Sequence, residues 1–306
     1  MADGRSSAAF KSGYVALIGA PNVGKSTLLN RFLEEKISIT GPKPQTTRNR
    51  ILGILTEPDC QIIFVDTPGI HRARDDFNKS LVETALITLN EADAICFLIE
   101  VPETDRNMNA FILENLGKIE TPVVLVINKI DLLRFKNDLL PVIERYNKLR
   151  KFLAVVPISA ATGEGVESLL GEILAVLPEG PLYYPEDYLT DQPERFLVAE
   201  MIREKIFHLL RQEVPYAVAV TVEKFAENAG GLRIDIEAAI HVERDSQKAI
   251  LIGKKGQMLK EIGKQARQDI EKLLGRHVYL GLFVRVQKDW RKDRRALAEF
   301  GYGPGR

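Results

Sequence analysis

One run of residues limits the possible folds more than any other: GAPNVGKS, Gly19 to Ser26, set directly between the apolar run YVALIG and the helix-period segment TLLNRFLEE. Glycines let a backbone take restricted conformations, so its N–H groups can converge on an anion. The start of the following helix places a favourable dipole at the same point. A G-x-x-x-x-G-K-S string in a strand-loop-helix setting therefore predicts a polyphosphate cradle. Gly19, Ala20, Pro21, Asn22, Val23 and Gly24 line the loop, Lys25 reaches the β and γ phosphates, Ser26 offers a hydroxyl to Mg²⁺, and Thr27 opens the helix.

Such a loop needs a parallel sheet behind it, and the runs to build one follow: Ile62 to Asp66, Ala94 to Val101 and Val123 to Asn128, alternating with helix-period stretches at Lys79 to Asn90 and Leu139 to Arg150. Short, continuous Val/Ile/Leu runs separated by helices indicate strands buried on both faces. The reading is an α/β P-loop domain with a mostly parallel sheet over residues 13–180, behind a flexible tail at 1–12. Pro and Gly density then rises, predicting an exposed linker at 181–193. Beyond it, helix (Glu194 to Arg211), strands (Tyr216 to Phe225 and Leu232 to Val242), helix (Gln257 to Leu274) and strand (Val278 to Val286) predict a smaller α+β domain over 194–306. No run of about 18 apolar residues and no secretory leader is evident, which predicts a soluble, intracellular protein. Cys60 and Cys96 both sit in apolar stretches and read as reduced core residues, while His71, His208, His241 and His277 share no ligand spacing.

Two further strings identify the nucleotide. In DTPG, Asp66 ends a strand where its carboxylate can hold Mg²⁺, Thr67 and Pro68 complete the turn, and the N–H of Gly69 can report the γ phosphate. In NKID, Asn128 to Asp131, Lys129 follows the strand-end asparagine, and the Asp131 carboxylate matches the paired N1–H and exocyclic amine of guanine. A wrong base would leave a buried carboxylate unpaired, so GTP is selected over ATP. Ser159 and Ala160, in ISA, supply a backbone N–H to the guanine carbonyl. Between loop and DTPG, the polar stretch Ile37 to Arg50 carries Thr46 and Thr47, one of which closes on Mg²⁺ and γ phosphate as part of a two-state switch. Ile70 stands where Ras-type GTPases carry a water-orienting glutamine, which predicts slow hydrolysis resting on positioning, Mg²⁺ and Lys25.

The formal net charge is +0, yet residues 244–306 hold 16 Lys and Arg against 7 Asp and Glu, leaving 26 against 35 in the rest. A basic segment on a neutral chain suggests a polyanion, either nucleic acid or an anionic membrane surface. Inside it Gly253-Lys254-Lys255-Gly256 joins an apolar run to an amphipathic helix. A G-x-x-G turn between helices admits a nucleic-acid backbone while its lysines meet phosphates. Ile250, Ile252 and Ile262 are the candidates for the apolar groove beside it, and Lys260 for a further phosphate contact. The terminal stretch from Val286 sets Trp290 among Arg291, Lys292, Arg294 and Arg295, which suits RNA, a membrane interface, or a terminal helix with Trp290 packed inward.

The strings GAPNVGKS, QTTR, DTPGI, NKID and SA, in this order, resemble the bacterial TrmE-Era class of GTPases, and the basic module is similar to a type II KH domain. That resemblance implies Thr47 as the Mg²⁺ ligand beside Ser26 and Asp66, Lys25, Thr47 and Gly69 as the catalytic set, and Asn22 as a K⁺ ligand. A class member with a C-terminal KH domain implies binding of the 3′ end of 16S ribosomal RNA rather than DNA, a role in 30S subunit assembly, and cytoplasmic location with peripheral association at the inner face of the membrane. Two alternatives stay open: an RNA scaffold or chaperone in which GTP is mainly structural, and a membrane-associated GTPase in which RNA is secondary.

Overall fold

The computed structural model describes residues 9–41, 48–67, 91–117, 119–210, 214–228 and 230–302. Thr46, Thr47, Pro68, Gly69, Ile70, His71 and the expected helix at Lys79 to Asn90 lie outside the described residues. The chain divides into two compact units, the second containing Ser38–Asn49 and Gln192–Arg306.

The first unit is a six-stranded sheet flanked by helices. In chain order its elements are β1 (Lys11–Gly19), α1 (Lys25–Leu33), β2 (Ile51–Glu57), β3 (Cys60–Asp66), β4 (Ala94–Glu100), α2 (Arg106–Leu116), β5 (Val123–Asn128), α3 (Leu139–Leu149), β6 (Ala154–Pro157) and α4 (Val166–Val176). The strand order is β2-β3-β1-β4-β5-β6, with β2 antiparallel and the rest parallel. Every residue of β3, β4 and β5 is buried, as strands covered on both faces require. Cys60 and Cys96 are buried free thiols within β3 and β4, and burial pushes the Cys96 thiol up to about 12.

Edge strand β2 is not foreseen by the sequence reading, because Ile51–Glu57 follows directly on the polar switch stretch; a two-residue turn folds it back on β3. The expected linker is also corrected in part. Up to Asp191 it belongs to the first unit. Buried Gln61 donates to the Tyr184 carbonyl at 2.8 Å and accepts from the Tyr183 and Tyr184 N–H groups, and the Ile54 N–H donates to the Leu189 carbonyl at 2.9 Å. Pairing with an edge strand and a buried amide holds a stretch whose composition reads as exposed loop.

The second unit runs α5 (Glu194–Leu209), β7 (Ala219–Glu227), β8 (Arg233–Val242), α6 (Asp245–Ile252), α7 (Gln257–Leu274), β9 (His277–Val286) and α8 (Arg294–Glu299). Its sheet has the order β7-β8-β9, with β8 antiparallel to β7 and parallel to β9. Ile202 and Ile206 of α5, Ile236 and Ile240 of β8, and Ile262, Ala266 and Ile270 of α7 form its core. Trp290 packs inward: its indole N–H donates to the Ala217 carbonyl at 3.1 Å, and its ring meets Phe300 and Tyr302. Trp290 is fully buried, which removes it as a contact to RNA or membrane. Among the described residues no helix is long and apolar enough to cross a membrane.

Candidate functional site

At the C-terminal end of β1 the chain enters the loop and emerges in α1. Gly24 sits at φ 101°, and a Cβ there would lie 2.2 Å from Asn128 Nδ2, so only glycine fits both the conformation and the space. Asn22 also takes a left-handed φ of 66°, which asparagine tolerates better than most residues. The Lys25 ammonium donates to the carbonyls of Gly19 at 3.1 Å and Ala20 at 3.0 Å. Burial lowers its pKa to about 8, and the Asp66 carboxylate opposes that shift. The loop thus holds an ammonium at the mouth of a helix N-terminus, arranged for a polyanion.

Asp66, fully buried at the end of β3, accepts a hydrogen bond from Ser26 Oγ at 2.6 Å. Two hard oxygen donors brought together from the loop and a strand end fit Mg²⁺ better than a softer metal. Thr67 is turned away from this point, its hydroxyl donating to the Leu17 carbonyl at 2.9 Å.

The base-recognition strings meet at Asn128. Its Nδ2 donates to the Val23 carbonyl at 2.8 Å, while its Oδ1 accepts the Ala160 N–H at 2.9 Å. One buried side chain therefore ties the phosphate loop to the NKID and Ala160 segments, and the Ala160 N–H is committed to that tie. Lys129 follows at φ 66° and forms an ion pair with Glu100 at the end of β4. Asp131 is exposed on a short 3₁₀ turn, not buried as the sequence argument for base selection assumes. Ser159 is buried, its hydroxyl accepting from the Thr162 N–H at 3.2 Å. Sequence reading misses Glu100; it ends a strand beside the NKID strand, and that position is the available signal.

The described residues on either side of the Thr46–Thr47 pair, 38–41 and 48–49, belong to the second unit. The Thr40 N–H donates to Glu204 Oε1 at 2.9 Å, and His208 Nε2 donates to the Thr40 carbonyl at 3.0 Å. On the other flank Arg48 is buried, donating to the carbonyls of Val218 at 2.7 Å and Tyr216 at 2.9 Å. Its guanidinium lies 5.4 Å from the Tyr302 ring centroid and 6.0 Å from that of Phe207. Sequence reading passes over Arg48, since an arginine in a polar loop carries no mark of burial.

In the second unit the G-x-x-G turn joins α6 to α7. Gly253 has φ 69°, and a Cβ there would lie 2.7 Å from Met258 Cβ; Lys255 and Gly256 are also left-handed. Lys254, Lys255 and Lys260 are exposed. A groove of about 600 Å³ opens beside the turn between α7 and β9, walled by Leu259, Gly263, Leu280 and Leu282 and rimmed by Lys260, Lys264 and Arg267. The apolar wall is therefore not the one expected. Ile262 is fully buried in the core, because α7 turns that position toward the sheet. Ile250 is exposed and Ile252 half-buried on α6, and neither lines this groove. Gly263 is the signal that sequence reading overlooks: a glycine inside an amphipathic helix suggests a surface that must approach something.

A buried P-loop lysine, a Ser–Asp oxygen pair and a base pocket tied together by Asn128 define a guanine-nucleotide-binding protein, joined in one chain to a KH module with its phosphate turn and groove. The family described as 50S ribosome-binding GTPase matches residues 14–129, and the KH domain family matches residues 213–291. GTPase Era of Geotalea uraniireducens is 57% identical over 293 residues, 96% of this chain and 98% of that one; GTPase Era of Staphylococcus haemolyticus is 49% identical over 292 residues, 95% and 97% of the two chains. The crystal structure of Era in complex with MgGDPNP and nucleotides 1506–1542 of 16S ribosomal RNA superposes with a TM-score of 0.93 at 45% identity, covering 96% of this chain and 99% of that one. A single-substitution variant of Aquifex aeolicus Era bound to GDP.AlF4⁻ gives 0.93 at 44% identity, covering 96% and 100%. The chain belongs to the Era family of GTPases.

Proposed function

We propose that the protein is a GTP-hydrolysing switch, in which the first unit binds GTP with Mg²⁺ and the second binds the 3′ end region of 16S ribosomal RNA during 30S subunit assembly. The observation that carries this reading is the Asn128 tie, which brings the phosphate loop, NKID and the Ala160 segment into one pocket. Ser26, Asp66 and Thr47 hold the Mg²⁺, whose contribution when bound is to neutralise charge on the phosphate oxygens. Lys25 and the N–H of Gly69 meet the transferring phosphate, and Asn22 holds a K⁺ ion. Ile70 orients no water, so intrinsic turnover is slow. RNA phosphates meet Lys254 and Lys255 while unstacked bases enter the groove beside α7. The relatives crystallised with MgGDPNP and a 16S ribosomal RNA fragment, and with GDP.AlF4⁻, support this division of labour. The protein works in the cytoplasm, and any contact with the inner face of the membrane is peripheral.

The test is base selectivity. An Asp131→Asn protein loses GTP and gains xanthosine triphosphate, whose carbonyl suits an amide donor, read by nucleotide binding at equilibrium. An unchanged GTP preference removes Asp131 from the base site and with it the guanine assignment.

A further inference from the structure

Helix α1 follows the phosphate loop and carries Arg31 in its last turn. Arg31 Nε donates to the Ala160 carbonyl at 3.2 Å, and Nη2 donates to the Ala161 carbonyl at 2.5 Å. A guanidinium presents its N–H groups in one rigid plane, so two successive carbonyls held by a single fork are fixed in direction as well as in place. The side chain also lies along the turn that follows, since a Cβ on Gly163 would sit 4.0 Å from its Cδ, Nε and Cζ atoms.

The same segment is held a second time by Asn128, whose Oδ1 accepts the Ala160 N–H. Beyond it the turn closes on itself, with the Gly163 N–H donating to the Ser159 carbonyl at 2.8 Å, and its far end is tied to the stretch after NKID by the exposed ion pair of Lys136 with Glu164. In a trans peptide the C=O and the N–H point to opposite sides. With the Ala160 carbonyl drawn to Arg31, the N–H of exposed Ala161 is turned away from α1. The Ala160 N–H is already taken by Asn128, so the next N–H along is the donor in this segment suited to a ligand.

We infer that Arg31 is a positioning residue for guanine: it fixes the Ala160–Ala161 peptide, holds the Ala161 N–H ready for the guanine carbonyl, and so sets how long the nucleotide stays bound. This inference rests on the guanine reading of the pocket and deepens it. Arg31 acts through the loop, whose opening is needed for the base to leave, and a bond that resists that opening slows release. One short helix then serves both ends of the nucleotide, with Lys25 for the phosphates and Arg31 for the loop that reads the base.

The experiment measures GDP dissociation from the full chain, and equilibrium binding of GDP, 6-thioguanosine diphosphate and inosine diphosphate, in the parent, Arg31→Met and Arg31→Lys proteins. Thermal unfolding checks that both variants are folded. The thio analogue weakens the acceptor at position 6 and keeps the N1–H and the exocyclic amine, whereas inosine diphosphate keeps the oxygen and lacks the amine assigned to Asp131. Arg31→Met is expected to release GDP about ten-fold faster, the order for losing partly exposed charge-assisted hydrogen bonds. Its preference for GDP over the thio analogue shrinks, while its preference for GDP over inosine diphosphate stays within about two-fold of the parent's. Arg31→Lys, with the charge but no fork, also releases GDP faster than the parent. A lysine protein that matches the parent would assign the effect to charge alone and overturns the inference. An equal loss of both preferences in Arg31→Met, which general loosening of the pocket would give, overturns it too. Normal selectivity in the parent with unchanged release in Arg31→Met removes the inference alone; a parent that binds GDP no better than either analogue removes the guanine reading and the inference with it.

Discussion

Lys25 shows how much one residue's surroundings set its chemistry. Its ammonium is held by two loop carbonyls in a buried site, and its pKa falls to about 8 from an ordinary 10.5, by burial first and against the pull of Asp66. A polyphosphate favours the charged form, so nucleotide affinity is level below pH 8 and falls by up to ten-fold per unit above it. Titrating GDP from pH 7 to 9.5 checks this, and a flat profile contradicts it. The stability effect has a definite sign. Between pH 8 and 10.5 the unfolded chain binds more protons than the folded one, so the cost of burying the ammonium is full below pH 8 and is relieved as pH rises. The strings singled out in sequence are brought together by the fold, Ser26 with Asp66 and Asn128 with Val23 and Ala160, because each stands where an apolar strand ends. What stayed hidden was the use of second groups: the tie from Asn128 to Val23 and Ala160, the pairing of Glu100 with Lys129, and the burial of Arg48 are made by folding, not by local pattern.

At the scale of elements, α7 carries two adjacent residues with opposite roles. Ile262 faces the core with Ala266 and Ile270, whereas Gly263 opens the groove under Leu282. Ile262→Ala should lower stability by about 2 to 5 kcal/mol with RNA affinity per folded molecule held within a few-fold. Gly263→Leu should do the reverse: helix propensity improves by roughly 1 kcal/mol, while the new side chain fills the groove and RNA affinity falls at least ten-fold. Thermal unfolding and RNA titration on both proteins decide the matter, and matching effects from the two changes would contradict the assignment. Sequence placed β5 and α7 to the residue, because an apolar run of strand length and a long amphipathic period are strong signals. It missed β2, whose place depends on pairing with β3, and put the groove wall at Ile262, because an isoleucine beside a basic turn gives no sign of which way the helix faces.

For the whole molecule, the question is how nucleotide state reaches RNA. The residues flanking Thr46 and Thr47 are held in the second unit, Thr40 by Glu204 and His208, and Arg48 by the carbonyls of Tyr216 and Val218. With these anchors in the second unit, a rearrangement of the threonine pair on GTP binding is expected to pull on them. Coupling of this kind is reciprocal, so RNA must tighten or loosen GTP by the same factor that GTP acts on RNA. Arg48 is then a positioning residue, and Arg48→Met should shrink the coupling factor while leaving RNA binding in place. A switch of this kind is read out by single-stranded RNA affinity at fixed salt, compared between GDP and a non-hydrolysable GTP analogue. The affinities should differ between the two states, with the difference reduced in Arg48→Met; equal affinities in the parent protein would contradict the switch and leave an RNA scaffold in its place.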